Sequence, residues 1–278
     1  MKLAPVLLAL SIAGLALGSC TPEYKQFSRW SRKGSIAEKD SAAFYFFERK
    51  DYERAAFLFE ELRAAYRGSQ RDKVILYHIA YSKYNQRLYS TAAYHFEQYA
   101  NLYPNDERTP ECTFMVGYCY YLESAPYYLD QSLTRKAMAQ LQLFVNNYPF
   151  SDRVERCNEL LNELRERLAR KKFEQASLYL KIENYRAAVS AFQGFMQEFP
   201  DSRYREEAQF LLIRAAVLLA EVSIADKKRN RYLDAIEFYE QFVDRYPSSV
   251  YLRDAEALFA RAKRGLGRLD AQEAEAGS

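Results

Sequence analysis

Residues able to do acid–base or metal chemistry are few and scattered in this 278-residue sequence. Its two histidines, His78 and His95, stand at no metal-ligand spacing from a cysteine. The sequence shows no glycine-rich phosphate loop, and no Ser–His–Asp or Cys–His set with a plausible base. Adjacent carboxylates such as Glu60-Glu61 and Glu206-Glu207 lie in Arg-rich stretches, where solvated helix faces explain them. We therefore predict no enzyme, no metal site and no cofactor.

Three of the four cysteines carry no signal for chemistry. Cys112 and Cys119 share a helical face, but seven residues of helix separate them by about 10.5 Å. A disulfide requires Cα atoms within about 7 Å, so this pair cannot be bridged. Cys157 has no nearby partner in sequence. We expect all three to be core thiols.

The fourth cysteine, Cys20, follows a secretion signal. Lys2 supplies a positive start, Leu3–Leu17 is an uncharged apolar run too short for a stable span, and Gly18-Ser19 suits a signal peptidase. This arrangement resembles the bacterial lipobox, which implies lipidation of Cys20 after removal of residues 1–19. The alternative is an ordinary signal peptide with an incidental cysteine. Thr21 after the cysteine, instead of the Asp that retains lipoproteins at the inner membrane, implies anchoring on the periplasmic face of the outer membrane.

Composition favours a helical protein without affinity for nucleic acid. The formal charge is +3 and falls to +2 when Lys2 is removed with the signal peptide, so the clear basic excess of a nucleic-acid binder is missing. Gly and Pro number only 9 and 8, which favours helix. The 24 Tyr and 18 Phe need a separate explanation.

An internal repeat organises the chain. In five places an Ala is followed by large side chains four and seven residues later and by an aromatic residue eleven later, the stripe of an amphipathic helix. In four of them a Pro follows the aromatic and ends the helix. The five Ala–aromatic pairs are Ala55–Tyr66, Ala92–Tyr103, Ala137–Tyr148, Ala188–Phe199 and Ala235–Tyr246. We expect a small Ala at each contact because it lets the partner helix approach closely.

A second helix precedes each stripe through a short turn such as Arg49-Lys50-Asp51. The pattern resembles the tetratricopeptide repeat, which implies an all-α, right-handed superhelix of about five helix pairs with a concave face. We predict a signal peptide (1–19), a lipidated tether (20–33), N-terminal repeats 1–3 (34–150), C-terminal repeats 4–5 with a capping helix at Val250–Leu266 (151–266) and a disordered tail (267–278). Further predictions are an insert at Ser124–Gln131, a lengthened helix over Asn158–Lys172 and a basic loop at Lys227–Arg231.

The lipobox, the order of the repeats and their irregular spacing together resemble the BamD family, the lipoproteins of the outer-membrane β-barrel assembly machine. The stretches that carry this resemblance are Phe44–Phe59, Gly117–Pro149 and Phe199–Ser202. The resemblance implies a scaffold that receives unfolded outer-membrane proteins through their C-terminal signals. It also implies docking on the periplasmic domains of BamA, and contact with other lipoproteins of the complex where these are present.

Two other functions stay open at this stage. One is a repeat lipoprotein of another envelope system, such as a pilotin of a secretion or pilus machine or a cell-division coordinator. The other is a regulator of a peptidoglycan enzyme.

The tyrosine excess predicts a binding groove. In a tetratricopeptide unit the second, fifth, ninth and twelfth residues of the first helix face the groove. Counting from the anchors places eight aromatic residues there: Phe44, Phe47, Tyr77, Tyr81, Tyr84, Phe114, Tyr118 and Tyr121. The alternative is that these rings belong to the core. The family's substrates end in an aromatic residue with a free carboxylate, for which the candidate partners are Lys73, Lys83 and Arg87.

Overall fold

The computed structural model describes residues 22–276 and shows twelve α-helices, with no β-strand in that range. They are α1 (Pro22–Lys33), α2 (Ile36–Glu48), α3 (Tyr52–Tyr66), α4 (Gln70–Asn85), α5 (Tyr89–Leu102), α6 (Thr109–Glu123), α7 (Ser132–Asn147), α8 (Val154–Lys181), α9 (Tyr185–Glu198), α10 (Arg205–Glu221), α11 (Ala225–Arg245) and α12 (Leu252–Ala276). The all-α prediction is therefore confirmed. Cys20 and the predicted signal peptide lie outside the described residues.

The chain forms two compact units, one ending at Leu122 and the other beginning at Glu123. In the first unit α2 packs on α3, α3 on α4 and α4 on α5. In the second unit α8 packs on α9, α9 on α10, α10 on α11 and α11 on α12. The boundary differs from the predicted division after residue 150, because the helices of the third predicted pair, α6 and α7, belong to different units. None of the helices between residues 22 and 276 has the length and apolar character needed to cross a bilayer.

The predicted anchor positions form the cores of these units. Each anchor alanine is at most 1% exposed: Ala55, Ala92, Ala137, Ala188 and Ala235. The large side chains seven residues further on are also buried: Leu62, Tyr99, Phe144, Phe195 and Phe242. The register of the repeat is therefore confirmed, because one stripe of each second helix lies against its neighbours.

The aromatic residue before each repeat proline marks the end of a helix. Tyr103, Tyr148, Phe199 and Tyr246 are the C-cap residues of α5, α7, α9 and α11. Each donates its backbone N–H to the carbonyl four residues earlier, and the proline that follows cannot extend the helix.

Three of the turns inside the helix pairs have the same backbone geometry. Lys50, Arg87 and Glu183 follow α2, α4 and α8 with φ angles of 64°, 63° and 62°. In the first turn Asp51 N–H donates to the Phe46 carbonyl at 2.9 Å, which closes a Schellman-type cap. The left-handed position costs a residue with a Cβ about 1–2 kcal/mol, so the turn is maintained by the packing of the two helices it joins.

The insert predicted between α6 and α7 is a non-helical connection fixed to α8. The Gln131 side-chain amide donates to the Pro126 carbonyl at 2.8 Å. The Arg170 guanidinium lies over the Tyr127 ring, 4.0 Å from its centre. The lengthened helix is confirmed as well, since α8 has 28 residues and includes all of the predicted Asn158–Lys172 stretch.

Two segments predicted as irregular are helical. The capping helix predicted over Val250–Leu266 continues as α12 to Ala276, so residues 267–276 do not form a disordered tail. Arg229 of α11 donates to Asp270 at 2.6 Å and to Glu273 at 2.7 Å, which ties this extension to the body. The predicted basic loop at Lys227–Arg231 is also wrong, because these residues lie in the first turns of α11. Lys and Arg are good helix formers, so a run of basic charge does not by itself indicate a loop.

The segment predicted as a tether contains a helix that packs on the first unit. The rings of Phe27 and Trp30 in α1 contact the ring of Phe46 at centroid distances of 5.7 and 5.9 Å. Two aromatic side chains therefore attach residues 22–33 to the body.

Candidate functional site

The candidate site lies on α2, α4 and α6, the first helices of the first three predicted pairs. Ser35 begins α2 with a capping box, in which its hydroxyl accepts from Glu38 N–H and the Glu38 carboxylate accepts from Ser35 N–H. Ser69 caps α4 by accepting from the backbone N–H groups of Arg71 and Asp72. These caps fix where each helix begins, and therefore which residues share a face.

Two different faces of α2 and α4 carry apolar residues, as predicted. The set that faces the partner helices is at most 2% exposed: Ala43, Phe46, Leu76, Ile79 and Ala80. The predicted groove residues behave differently. Seven of the eight are half-buried, and only Phe114 is buried, at 6% exposure.

One half of the predicted groove gathers around a histidine. The ring centroid of His78 lies 4.8 Å from Phe44, 4.9 Å from Phe47 and 5.6 Å from Tyr77. Its Nδ1 lies 2.7 Å from the Val74 carbonyl one turn earlier. Burial is the largest cause that lowers the pKa of His78, so the ring is neutral at neutral pH. The histidine therefore joins rings on α2 to rings on α4 without adding charge.

The other half continues along α4 and onto α6. Tyr77 contacts Tyr81 at 4.7 Å, and Tyr81 contacts Tyr84 at 6.2 Å between ring centroids. Tyr84 meets Tyr118 of α6 at 6.5 Å. Tyr118 stacks on Phe114 at 5.6 Å and on Tyr121 at 5.9 Å. The structure thus brings all eight predicted aromatics into one set of contacts through His78, and we call these nine residues the aromatic row.

Two hydroxyl groups of the aromatic row share one carboxylate. Tyr81 donates to Glu111 Oε1 at 2.6 Å, and Tyr77 donates to Glu111 Oε2 at 3.0 Å. Burial is the largest cause that raises the pKa of both tyrosines, and the hydrogen bond to Glu111 is the second. The pKa of Tyr77 rises to about 12, and the pKa of Tyr81 rises more than that of Tyr77. Glu111 was not among the predicted site residues. Its separation from Tyr77 is 34 residues, the length of one standard repeat, and this spacing is the signal in the sequence that points to it.

Two of the three predicted carboxylate-binding residues already have carboxylate partners. Lys73 Nζ lies 2.6 Å from Asp106 Oδ2, and the Lys73 hydrogen bond is the largest cause that lowers the pKa of Asp106 to about 2. Lys83 Nζ lies 2.8 Å from Glu60. Arg87 is exposed in its left-handed turn and forms no ion pair with any described carboxylate. Of the three predicted residues, Arg87 alone could bind an incoming carboxylate without first breaking an ion pair.

Two arginines that the sequence prediction missed lie over rings of the aromatic row. Arg71 stacks on Phe44, 4.7 Å from the ring centre, while its guanidinium binds both oxygens of Asp40. Arg108 lies 5.1 Å from the centre of the Tyr77 ring and forms no ion pair within residues 22–276. Aromatic rings beside a guanidinium that has no ion pair can bind a ligand in which an aromatic side chain stands next to a carboxylate. The described groups offer this surface binding chemistry and no activated nucleophile.

Comparison with known proteins identifies relatives. A family model named YfiO and described as an outer membrane lipoprotein matches residues 41–231. The outer membrane protein assembly factor BamD of Rickettsia prowazekii is 24% identical over 232 residues, which cover 79% of this chain and 86% of that protein. BamD of Caulobacter vibrioides is 24% identical over 215 residues, covering 77% and 69%. BamD of Pasteurella multocida is 22% identical over 175 residues, covering 59% and 67%.

Solved structures of repeat proteins also match at low similarity. The TPR2AB domain of yeast Sti1 is 16% identical with a TM-score of 0.39, covering 82% of this chain and 98% of that one. The P58(IPK) TPR domain is 13% identical with a TM-score of 0.40, covering 92% and 71%. The all-α fold rests on the helices described above.

Proposed function

Because the chain belongs to the YfiO family of outer membrane lipoproteins, we propose that it is an assembly factor for outer-membrane proteins, anchored through lipidated Cys20 on the periplasmic face of the outer membrane. In this proposal the aromatic row holds the C-terminal segments of unfolded outer-membrane proteins, and the second unit docks on the periplasmic domains of BamA. Other lipoproteins of the complex are further partners. Its role is binding rather than catalysis.

The observation that carries this proposal is the half-burial of the aromatic row. A helix with two apolar faces must bury both or use one for binding. On α2 and α4 the set that faces the partner helices is fully buried, while the second face keeps part of each ring at the surface. Tyrosine suits such a surface because its ring packs while its polar tip stays hydrogen-bonded, as Tyr77 and Tyr81 are to Glu111.

The charge near the row fits a peptide that ends in an aromatic residue. Arg108 extends over Tyr77 with no ion pair in the described chain, so its guanidinium can bind a terminal carboxylate while the last side chain packs on the tyrosines. Lys73 and Lys83 would have to give up Asp106 and Glu60 to do the same. We expect micromolar affinity, about 8 kcal/mol, because a short flexible peptide loses conformational freedom when it binds.

Titration of a peptide ending in Phe tests the site. We expect the triple variant Tyr77→Ala, Tyr81→Ala, Tyr84→Ala to lose binding by about tenfold or more. The matched control is Tyr94→Ala on α5, which removes a ring that is 54% exposed and outside the row. Undiminished binding by a folded triple variant would place the site elsewhere.

A second variant protects this test against unfolding, because the triple change also removes two hydrogen bonds to Glu111. The double variant Tyr84→Ala, Tyr118→Ala removes one ring contact between α4 and α6 and leaves both Glu111 bonds in place. It should weaken the same peptide, whereas equal affinity of the double variant and the wild type would contradict the proposed site.

An exposed apolar edge of the second unit supports the docking proposal. Leu178 and Ile182 at the end of α8 are 54% and 59% exposed, and Val222 and Ile224 after α10 are 68% and 65% exposed. Lys181 at the end of α8 and Leu218 near the end of α10 line one cavity, so these two helix ends are neighbours. We call the four exposed side chains at these ends the apolar edge. Exposed apolar side chains grouped in this way are typical of a protein–protein contact.

Co-purification with BamA tests the apolar edge. We expect the double variant Ile182→Asp, Val222→Asp to lose most of the BamA recovered with the wild type, since a buried unpaired carboxylate strongly disfavours an interface. The control is Leu143→Asp on α7, where an exposed leucine lies outside the edge. Full recovery of BamA with the double variant would exclude this edge as the docking surface.

A further inference from the structure

Helix α1 carries a basic face whose four positive charges exceed the single charge of the Glu38 carboxylate beside it. Lys25, Arg29, Arg32 and Lys33 are all exposed, and none of them forms an ion pair with a carboxylate whose side chain the structure describes. Their spacing of i, i+4, i+7 and i+8 places them on one side of the helix. They border a cavity of about 510 Å³ whose wall includes Trp30.

The opposite side of α1 fixes the direction of this basic face. Phe27 and Trp30 pack against Phe46, and Phe27 also contacts Phe57 at 5.7 Å. The turn after α1 is tight, since a Cβ on Gly34 would stand 2.5 Å from the Trp30 carbonyl oxygen. The helix is therefore held on the first unit by its aromatic side, while its exposed basic side borders a cavity that Glu38 of α2 also lines.

The predicted lipid anchor lies next to this basic face along the chain. Only Thr21 separates Cys20 from Pro22, the first residue of α1, so the two Cα atoms are at most about 7 Å apart. An acylated Cys20 lies at the bilayer surface, and α1 is about 18 Å long. The four basic groups are therefore held within about 25 Å of the bilayer surface. A helix that lies along this surface brings all of them to the head groups, where charge interactions act over about 8 Å.

We propose that α1 is a second membrane contact, in which its basic face binds the phosphate head groups of an anionic bilayer surface beside the anchor. The proposal rests on the lipid anchor of the proposed function. The acyl chains already retain the protein, so this contact sets how the first unit is oriented on the membrane. Basic side chains at an anionic surface contribute additively, and salt weakens them.

Vesicle binding of the acyl-free protein isolates this contact. The mature chain with Cys20→Ser is mixed with phosphatidylcholine vesicles, with or without anionic phosphatidylglycerol. We expect it to sediment with the anionic vesicles only and to be released by salt. Trp30 is the single tryptophan of the chain, so a change in its emission on binding would report α1 directly. Equal binding to neutral vesicles would overturn the proposal.

The decisive variant replaces Lys25, Arg29, Arg32 and Lys33 with Gln. Its control makes the same change in charge on another helix, replacing four exposed basic residues of α12 with Gln: Arg253, Lys263, Arg264 and Arg268. We expect the α1 variant to lose about tenfold or more in binding and the control less than about twofold. The proposal fails if both variants lose the same amount or if the α1 variant binds as the wild type does.

Two checks keep this result independent of folding and of the assembly function. The four glutamines leave Phe27 and Trp30 in place, and thermal unfolding verifies that the variant is folded. If the fourfold change unfolds the protein, the milder pair Arg29→Gln, Lys33→Gln should still lower binding, and unchanged binding of that pair would refute the proposal. Peptide binding by the aromatic row should be equal in both fourfold variants, so failure of either proposal can be recognised separately.

Discussion

Two glycines in α12 should differ in how much stability the protein gains or loses when each is replaced by Ala. A Cβ on Gly265 would stand 2.4 Å from Cζ of Tyr232 and 2.7 Å from its hydroxyl oxygen, and Tyr232 is only 6% exposed. A Cβ on Gly267 would meet no atom within 4 Å. Replacing Gly with Ala in a helix interior stabilises the protein by up to about 1 kcal/mol. Gly267→Ala should show that gain, whereas Gly265→Ala must displace a buried ring.

The cost of that displacement decides the sign at Gly265. Overpacking a well-packed contact costs about 1–3 kcal/mol, so Gly265→Ala should range from neutral to about 2 kcal/mol less stable than the wild type. The two variants should then differ by about 1–3 kcal/mol in the free energy of unfolding, measured by urea denaturation. Equal stabilisation by both substitutions would refute the contact between α11 and α12 at Tyr232.

Three further predictions concern the repeat core, the buried histidine and the anchor. Ala188→Leu should cost about 1–3 kcal/mol by overpacking, while Ala257→Leu on the surface of α12 should change the melting temperature little; equal melting temperatures would argue against the register. Burial lowers the pKa of His78, so the unfolded chain binds the proton more readily than the folded chain, and the free energy of unfolding should decrease as pH drops below about 6.5. The urea midpoint of His78→Gln should decrease less over the same pH range. An identical decrease in the variant and the wild type would exclude this contribution of His78. The Cys20→Ala protein should be absent from the outer-membrane fraction when membranes are fractionated after pulse labelling, because it lacks the acyl anchor. Recovery in that fraction at the wild-type level would contradict lipidation.

The repeat core could be predicted from the sequence because it depends on local rules. Burial selects one stripe of each second helix, and a small residue such as Ala188 must stand where the neighbouring helix approaches. Proline ends the helix wherever it occurs, so the aromatic residue before it becomes the C-cap. Both signals lie within about fifteen residues of each other, which is why counting along the chain recovers them.

The errors lie where distant parts of the chain decide the structure. The end of α12 is Ala- and Glu-rich, a composition shared by disordered tails and helices. Its attachment by Arg229 to Asp270 and Glu273 spans 41 and 44 residues. The tether prediction failed for a similar reason, because Phe27 is held by rings of α2 and α3. A short window of sequence shows neither contact.

The sequence predicts which aromatic residues of the candidate site lie together, but it does not show which of the nearby charged residues already have partners. The periodicity of the first helices places the aromatic residues on one face, and the structure brings all eight together. The positions of Lys73 and Lys83 on α4 predict that they lie near the groove, but position alone does not show that Asp106 and Glu60 already bind them. Arg108 was missed because it precedes α6, outside the periodic stretch.

Affinity purification of the tagged full-length chain from solubilised membranes tests the central proposal most directly. The assembly-factor function predicts recovery of BamA together with unfolded outer-membrane proteins, and loss of BamA with Ile182→Asp, Val222→Asp but not with Leu143→Asp. Recovery of a secretin, a cell-division protein or a peptidoglycan hydrolase without BamA would contradict it and assign the protein to another envelope system.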